Sequence, residues 1–282
     1  MTLITPEELL RRIDDDDVRV ADVRWYLNDP DRAGAEFAAG HVPGAIFVDL
    51  DHDLSAPPGP GRHPLPEPAV FARRMSDLGI GSEHLVVAYD DTGGTTAARL
   101  WWMLDALGHR HAAVLDGGIQ AWIAAGGPLS TDVIVYPPAE LELEDRWTGA
   151  IGRDELIERL GQLVLLDGRA PERYRGDVEP IDPAAGHIPT ALSLPVGGNL
   201  GEDGRFLPAA VLRQRLHDVG HAAPGGVVAY CGSGVNACHN ILAMRLAGLP
   251  APLLYAGSFS DWSRAGLPVY ATPEPGSRPP DL

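Results

Sequence analysis

The run Cys231-Gly232-Ser233-Gly234-Val235-Asn236 follows a short apolar stretch, Val227-Val228-Ala229-Tyr230, and leads into a helical pattern reaching to about Leu246. A thiol placed between a strand end and a helix start sits where open α/β sheets bind their ligands. Unpaired backbone N–H groups and the positive end of the helix dipole converge at that point. The glycines let successive amides curl into a nest for an anion. Such surroundings favour a thiolate, so the pattern points to nucleophilic chemistry at sulfur. A cysteine that merely fills space in a core leaves the Gly-x-Gly loop after it without a reason. An anionic partner would need a cation nearby, and Asp167-Gly168-Arg169-Ala170-Pro171-Glu172-Arg173-Tyr174-Arg175 offers three arginines. A guanidinium fork can hold a carboxylate through two parallel hydrogen bonds.

Composition narrows the chemistry further. All 22 basic residues are arginine, against 39 acidic residues, for a formal charge of −17. Without lysine there is no Schiff base and no P-loop amine. The strong negative charge argues against a nucleic-acid partner and against an anionic membrane surface. Two cysteines, Cys231 and Cys238, make no disulfide framework and no Cys-x-x-Cys metal pair. Cys238, on the helix that follows, reads either as a resolving thiol or, with less to explain, as a small packed residue. The first dozen residues carry both signs of charge and no apolar h-region, and no apolar run is long enough to span a membrane, so the expected address is cytoplasmic.

The elements that must position Cys231 occur twice. Ala21-Asp22-Val23-Arg24 and Gly40-His41-Val42-Pro43 return as Leu166-Asp167-Gly168-Arg169 and Gly186-His187-Ile188-Pro189. Leu85–Asp90 matches Gly226–Cys231, and Asp116–Trp122 matches Tyr255–Trp262. The period is too long for a solenoid unit and implies two copies of one domain. Strands are expected at 18–23, 45–48, 85–89 and 113–115, and again at 163–166, 191–194, 227–230 and 252–255. Helices are expected at 5–13, 66–78, 95–107 and 118–125, with equivalents in the second copy. Strand–helix alternation with continuously apolar strands predicts an α/β fold, each domain a mainly parallel sheet flanked by helices. The expected divisions are 1–133, a linker over 134–150 marked by Tyr136-Pro137-Pro138, and 151–282, with an exposed tail from Pro273. His41 and His187 read as structural, because one of them lies in the copy without the cysteine. Trp101, Trp102, Trp122 and Trp262 read as core. Asp90 occupies the Cys231 position in the first copy, where an acidic loop would repel an anionic donor.

These features together resemble the tandem-domain rhodaneses, the thiosulfate and 3-mercaptopyruvate sulfurtransferases. The resemblance rests on the loop Cys231–Val235 and on the repeated Gly-His-x-Pro motifs, and it spans nearly the whole chain. It implies a non-catalytic first domain and a catalytic second one. It also implies a relay: Cys231 takes a sulfane sulfur from a small-molecule donor as a persulfide and passes it to a thiol, either small or on a thioredoxin-like protein, or to cyanide. No metal and no organic cofactor is implied. The neutral loop favours 3-mercaptopyruvate, since thiosulfate-preferring relatives carry basic residues there; a thiosulfate-preferring enzyme is the alternative. Arg173 is implied as the donor-binding arginine, with Gly232, Gly234, Val235 and Asn236 lining the site. Asp167 is either part of that site or a turn or cap residue. Arg169 leans to a structural ion pair and Arg175 to the surface. A second binding arginine, usual a few residues before the Gly-His motif, is missing from Glu179-Pro180-Ile181-Asp182-Pro183. A Ser–His–Asp proton relay is implied as Ser233, His63 and Asp51. Two other classes compete. A cysteine phosphatase would need an arginine six residues after the cysteine, where Ala237 stands. A non-catalytic rhodanese module would have no use for an intact Cys231.

Overall fold

Apolar runs of four or five residues, rich in Val, Leu and Ala, form strands that are buried along nearly their whole length. The computed structural model describes residues 2–59, 61–220 and 226–271. The chain divides into two compact units. The first comprises Met1–Ala56, Pro66–Thr148 and Leu200–Phe206; the second comprises Pro57–Leu65, Gly149–Asn199 and Leu207–Leu282.

The first unit runs β1 (Leu3–Ile4), α1 (Pro6–Leu10), β2 (Val18–Asp22), α2 (Arg32–Ala39), β3 (Ile46–Phe47), α3 (Pro68–Asp77), β4 (Leu85–Tyr89), α4 (Ala97–Ala106), β5 (Ala112–Leu115) and α5 (Gly118–Ala124). Its five strands pair in the order β1-β5-β4-β2-β3, all parallel. The second unit runs α6 (Arg153–Glu158), β6 (Val164–Asp167), α7 (Pro171–Arg175), β7 (Leu192–Ser193), α8 (Ala209–Gly220), β8 (Val227–Tyr230), α9 (Asn236–Leu246), β9 (Leu253–Leu254) and α10 (Ser258–Arg264). Its four strands pair in the order β7-β6-β8-β9, again all parallel. Strand and helix positions agree with the apolar pattern to within a few residues. The pattern does not disclose α2, an alanine-rich helix with only Ala33 and Phe37 buried, its short counterpart α7, or the two-residue strand β1.

The segment expected as a linker is anchored by aromatic side chains, and residues up to Thr148 belong with the first unit. Tyr136 Oη donates to the Gly44 carbonyl at 3.1 Å, and Arg19 lies over its ring. Trp147 stacks near Trp102 and donates to the Pro66 carbonyl at 2.8 Å. The tail beyond Pro273 lies outside the described residues.

Each unit is pinned by the same buried polar network. In the first, the Asp22 carboxylate ends β2 and accepts from Arg24 Nη2 at 2.6 Å and from Tyr89 Oη at 2.7 Å. Arg24 reaches on to the Gly40 carbonyl, and Tyr89 Oη accepts the Val42 N–H. In the second, Asp167 holds Arg169 at 2.7 Å, Arg169 donates to the Gly186 carbonyl, and Tyr230 Oη accepts the Ile188 N–H. The Gly-His-x-Pro histidines complete the pattern. His41 stacks on Phe37 at 3.9 Å and His187 on Tyr174 at 3.8 Å. Each donates Nδ1–H to the backbone carbonyl of its stacking partner. Trp122 and Trp262 are both fully packed, each donating its indole N–H to a proline carbonyl six residues on.

Burial pushes the His187 imidazole below its ordinary value, more than the Tyr174 carbonyl raises it. The unfolded chain therefore binds the proton more readily than the native one. The stability this histidine contributes is present above about pH 6.5 and is lost as pH falls. His187→Gln, whose amide can still donate to Tyr174, should narrow the gap in melting temperature between pH 7.5 and pH 5.5, read by circular dichroism. An unchanged gap would assign the acid sensitivity elsewhere.

Candidate functional site

Cys231 directly follows β8 and is 3% exposed. The loop turns back over it before α9 begins at Asn236, so that the Gly234 N–H points at Cys231 Sγ at 3.2 Å. Gly234 lies in the left-handed region at φ +81°, and a Cβ there would come within 2.4 Å of the Ala256 carbonyl oxygen. No side chain fits without moving that amide. Val235 caps α9 and is buried, while Asn236, its first residue, is partly exposed.

A second segment holds the loop from the other side. Ser258 Oγ accepts the Cys231 N–H at 3.0 Å and donates to the Tyr255 carbonyl. The N–H groups of Phe259 and Ser260 donate to the carbonyls of Cys231 and Gly232. Sequence reasoning missed Ser258 and Ser260. A signal for Ser258 was available: it stands opposite Gly118 of the first copy, and both have left-handed backbones, φ 54° and φ 58°. A serine stands here where the other copy keeps glycine, and its hydroxyl, bonded to the Cys231 N–H and the Tyr255 carbonyl, helps hold that left-handed backbone.

Ser233 and His63 come together: Ser233 Oγ lies 2.8 Å from His63 Nδ1, with both side chains buried. His63 arrives on the segment Pro57–Leu65, which belongs to the second unit although it interrupts the first in sequence. Asp51 belongs to the first unit, where it is exposed and accepts from Trp25 Nε1 at 2.8 Å.

Arg173 follows Pro171 on α7. Its guanidinium spans both oxygens of Glu179, with contacts of 2.6 and 3.1 Å, and reaches Asp182 at 3.2 Å. Burial raises the Glu179 carboxyl, but the Arg173 hydrogen bonds and the N–H groups of Asp182 and Ile181 outweigh it, leaving Glu179 below the usual carboxylate range. Arg169 is a structural ion pair with Asp167, and Arg175 pairs with Asp177 near the surface. Asp167 takes the turn position of its two readings, accepting the Arg169 backbone N–H at 2.9 Å. Its carboxylate is fully buried and engaged by Arg169, as Asp22 is by Arg24 in the copy that has no cysteine. Cys238 Sγ lies 3.4 Å from the Gly234 carbonyl, one turn into α9, buried against the loop it helps to hold.

The first unit shows what the same turn does without sulfur. The Asp90 carboxylate accepts N–H groups from Thr92, Gly94, Thr96 and Ala97 at 2.8–2.9 Å, and the Thr96 hydroxyl as well. The acidic loop therefore does not face outward to repel a donor. It turns inward and fills its own anion nest.

A family model described as the rhodanese-like domain matches residues 5–125 and 153–265. The chain belongs to the tandem-domain rhodanese sulfurtransferases. It is 46% identical over 267 residues to a probable 3-mercaptopyruvate sulfurtransferase of Pseudomonas aeruginosa, covering 92% of this chain and 94% of that one. It is 33% identical over 258 residues to the thiosulfate sulfurtransferase of Rattus norvegicus, covering 89% and 86%. The solved 3-mercaptopyruvate sulfurtransferase from Leishmania major superposes with a TM-score of 0.82 at 33% identity, over 93% of this chain and 74% of that one. This sulfurtransferase thus has its thiol in the second rhodanese-like domain and a carboxylate at the matching place in the first. No helix among its described residues is long and apolar enough to cross a membrane.

Gly234→Ala should lower turnover as well as stability, because the displaced amide is the one facing Sγ. A loss of about tenfold or more in kcat/KM per folded molecule is the expected outcome, together with a lowered melting temperature from the left-handed backbone and the Ala256 carbonyl contact. Asp90→Ala should lower stability alone. Several buried amides lose their partner, costing about 2 kcal/mol in urea unfolding, while turnover per folded molecule holds.

Proposed function

We propose that the protein takes sulfur from a small anionic donor, 3-mercaptopyruvate in preference to thiosulfate, and passes it through a Cys231 persulfide to a thiol acceptor. The observation that carries this reading is the Gly234 N–H aimed at Cys231 Sγ beside the buried Ser233–His63 pair. In the first half-reaction the Cys231 thiolate attacks the donor sulfur, a new S–S bond forms, and the donor C–S bond breaks. The electron pair leaves with carbon as the enolate of pyruvate, which takes up a proton. Ser233 and His63 stand where that proton can be delivered, since an imidazole gives and takes protons near neutral pH. In the second half-reaction an acceptor thiolate attacks the outer sulfur, and Cys231 leaves as thiolate. The amide that faces the thiol faces the persulfide anion too, so both states are stabilised by one fixed dipole.

Arg173 is the proposed donor-binding cation, Gly232, Gly234, Val235 and Asn236 the lining of the site, and Asp51 the proposed carboxylate of the relay. Supporting the choice of donor are the loop itself, which has no basic residue, and the mercaptopyruvate-named relatives. The acceptor belongs to the same proposal, as a small thiol or a thioredoxin-like protein cysteine. So does a cytoplasmic address, where a free thiol stays reduced.

Steady-state assays with each donor, cyanide as acceptor and Cys231→Ser as blank test the reading. A kcat/KM for 3-mercaptopyruvate at least about tenfold above that for thiosulfate is expected, with turnover lost in the blank. Ser233→Ala and His63→Gln should lower kcat with 3-mercaptopyruvate by about 100-fold. They should matter far less with thiosulfate, whose sulfite leaves without needing a proton. Turnover that survives Cys231→Ser would end the mechanism.

A further inference from the structure

The segments that hold the Cys231 loop from outside also border a cavity of about 570 Å³, lined by residues of the second unit. One wall is Gly61, Pro64 and Leu65, and the opposite wall is Tyr255, Ala256 and Gly257. The residues around the start of α6, from Ile151 to Glu155, form a third side. The first two walls touch: a Cβ on Gly61 would lie 3.1 Å from the Gly257 carbonyl oxygen, and the Arg62 N–H donates to Ser260 Oγ at 3.1 Å. Both walls reach the thiol loop on their other face. Pro64 follows His63, whose ring meets Ser233 Oγ. The Ala256 carbonyl packs against Gly234, whose N–H faces Cys231 Sγ. The Tyr255 carbonyl accepts from Ser258 Oγ, which in turn accepts the Cys231 N–H. An occupant of the cavity would therefore lean on the backs of the groups that hold the loop.

The lining favours one kind of occupant. Ile151 and Tyr255 are buried, and Pro64, Leu65 and Ala256 are partly exposed, so the walls are mainly apolar. Most of the charges are matched among themselves. Asp261 accepts from Arg153 Nη1 and from Tyr255 Oη, each at 2.6 Å, and Glu155 pairs with Arg159. Two arginines thus face three carboxylates. The third carboxylate is Asp154, which is 95% exposed and lies 4.0 Å from Arg153 Nε. A cavity of this size with apolar walls and few polar groups suits a small organic molecule. The residual negative charge at its rim, in a chain with a formal charge of −17, suits a cation.

We propose that this cavity binds a small organic cation, an aromatic ring bearing one positively charged group, and that its occupancy is felt at Cys231. The ring lies between Pro64 and Leu65 on one side and Ile151 and Tyr255 on the other, with the cation at Asp154. An occupied cavity leaves Ala256 and the segment 61–65 less room to recede from the loop. The Gly234 amide is then held on Sγ more of the time, which favours the thiolate. By reciprocity, forming the thiolate tightens binding of the cation by the same factor. The inference goes beyond sulfur transfer and does not depend on the identity of the donor.

Benzamidine is the probe, with benzamide as its neutral isostere. Alkylation of Cys231 by iodoacetamide near pH 7, read at the Cys231 peptide by mass spectrometry, reports occupancy whether or not any donor turns over. Benzamidine should speed alkylation at least about threefold and saturably. Half of the effect should come at about 1–10 mM, the range for a probe of so few atoms. Benzamide on the wild type, and benzamidine on Asp154→Asn, should each need a concentration about threefold higher. Gly152→Phe fills the cavity from its rim. Gly152 has φ −82°, open to any residue, and a Cβ there meets nothing within 4 Å. This variant should lose the response to benzamidine. No saturable change up to about 50 mM benzamidine would overturn the inference. So would equal responses to benzamidine and benzamide, or a response undiminished in Gly152→Phe, which would place the probe elsewhere. The expected response in an enzyme that turns over neither donor would uphold the cavity and refute the sulfur-transfer reading.

Discussion

Backbone N–H groups at the turn between a parallel strand and its helix need an acceptor, and both halves of this chain are built around supplying one. After β4 the acceptor is the Asp90 carboxylate, which takes four amides and a hydroxyl. After β8 it is the Cys231 sulfur, which takes the Gly234 amide. A carboxylate with its oxygens filled is a finished structural unit. A sulfur that takes one amide among the described residues leaves the rest of its surface to other partners. One side chain at the strand end thus decides what fills the turn, and the surrounding backbone need not change its fold.

The turn can be repeated in this way because a second constraint fixes the strand before it. Asp22 and Asp167 are buried charges that survive only because Arg24 and Arg169 lie against them with several hydrogen bonds each. Tyr89 and Tyr230 tie the same carboxylates to the strands carrying Asp90 and Cys231. Breaking either pair would strand a charge in the interior, so the aspartate–arginine pair acts as a register pin for the sheet. That demand explains why Asp167, in register with Tyr230 one residue before Cys231, has its carboxylate occupied by Arg169.

What the sequence disclosed follows the same division. Valine-rich runs such as Leu85–Tyr89 and Val227–Tyr230 are legible because strands covered on both faces are continuously apolar. The repeat exposed the nest, since Asp90 and Cys231 align. Ser233 and His63 were found through family resemblance, and they do meet. Arg62 and Asp182 were not legible, because their pairing joins residues 120 positions apart and neither neighbourhood looks unusual alone. The same holds for the segment Pro57–Leu65. Its Pro and Gly content reads as a surface loop, and nothing local records that it folds with the second unit. Helix α2 escaped notice because a helix that buries only Ala33 and Phe37 leaves almost no apolar period.

A formal charge of −17 with no lysine sets a long-range repulsion against the anionic donor proposed above. Long-range repulsion is a weak obstacle, since salt screens exposed charges beyond about 8–10 Å. The local arrangement decides. Asp182 and Glu179 neutralise Arg62 and Arg173 from behind while leaving the guanidinium edges toward Gly232. A lysine could not be held this way, because an ammonium has no planar fork to share between a backing carboxylate and an arriving one. Arginine as the sole basic side chain besides histidine therefore suits buried carboxylates that are shared: the two oxygens of Asp182 are divided between Arg62 and Arg173, each held by a planar fork.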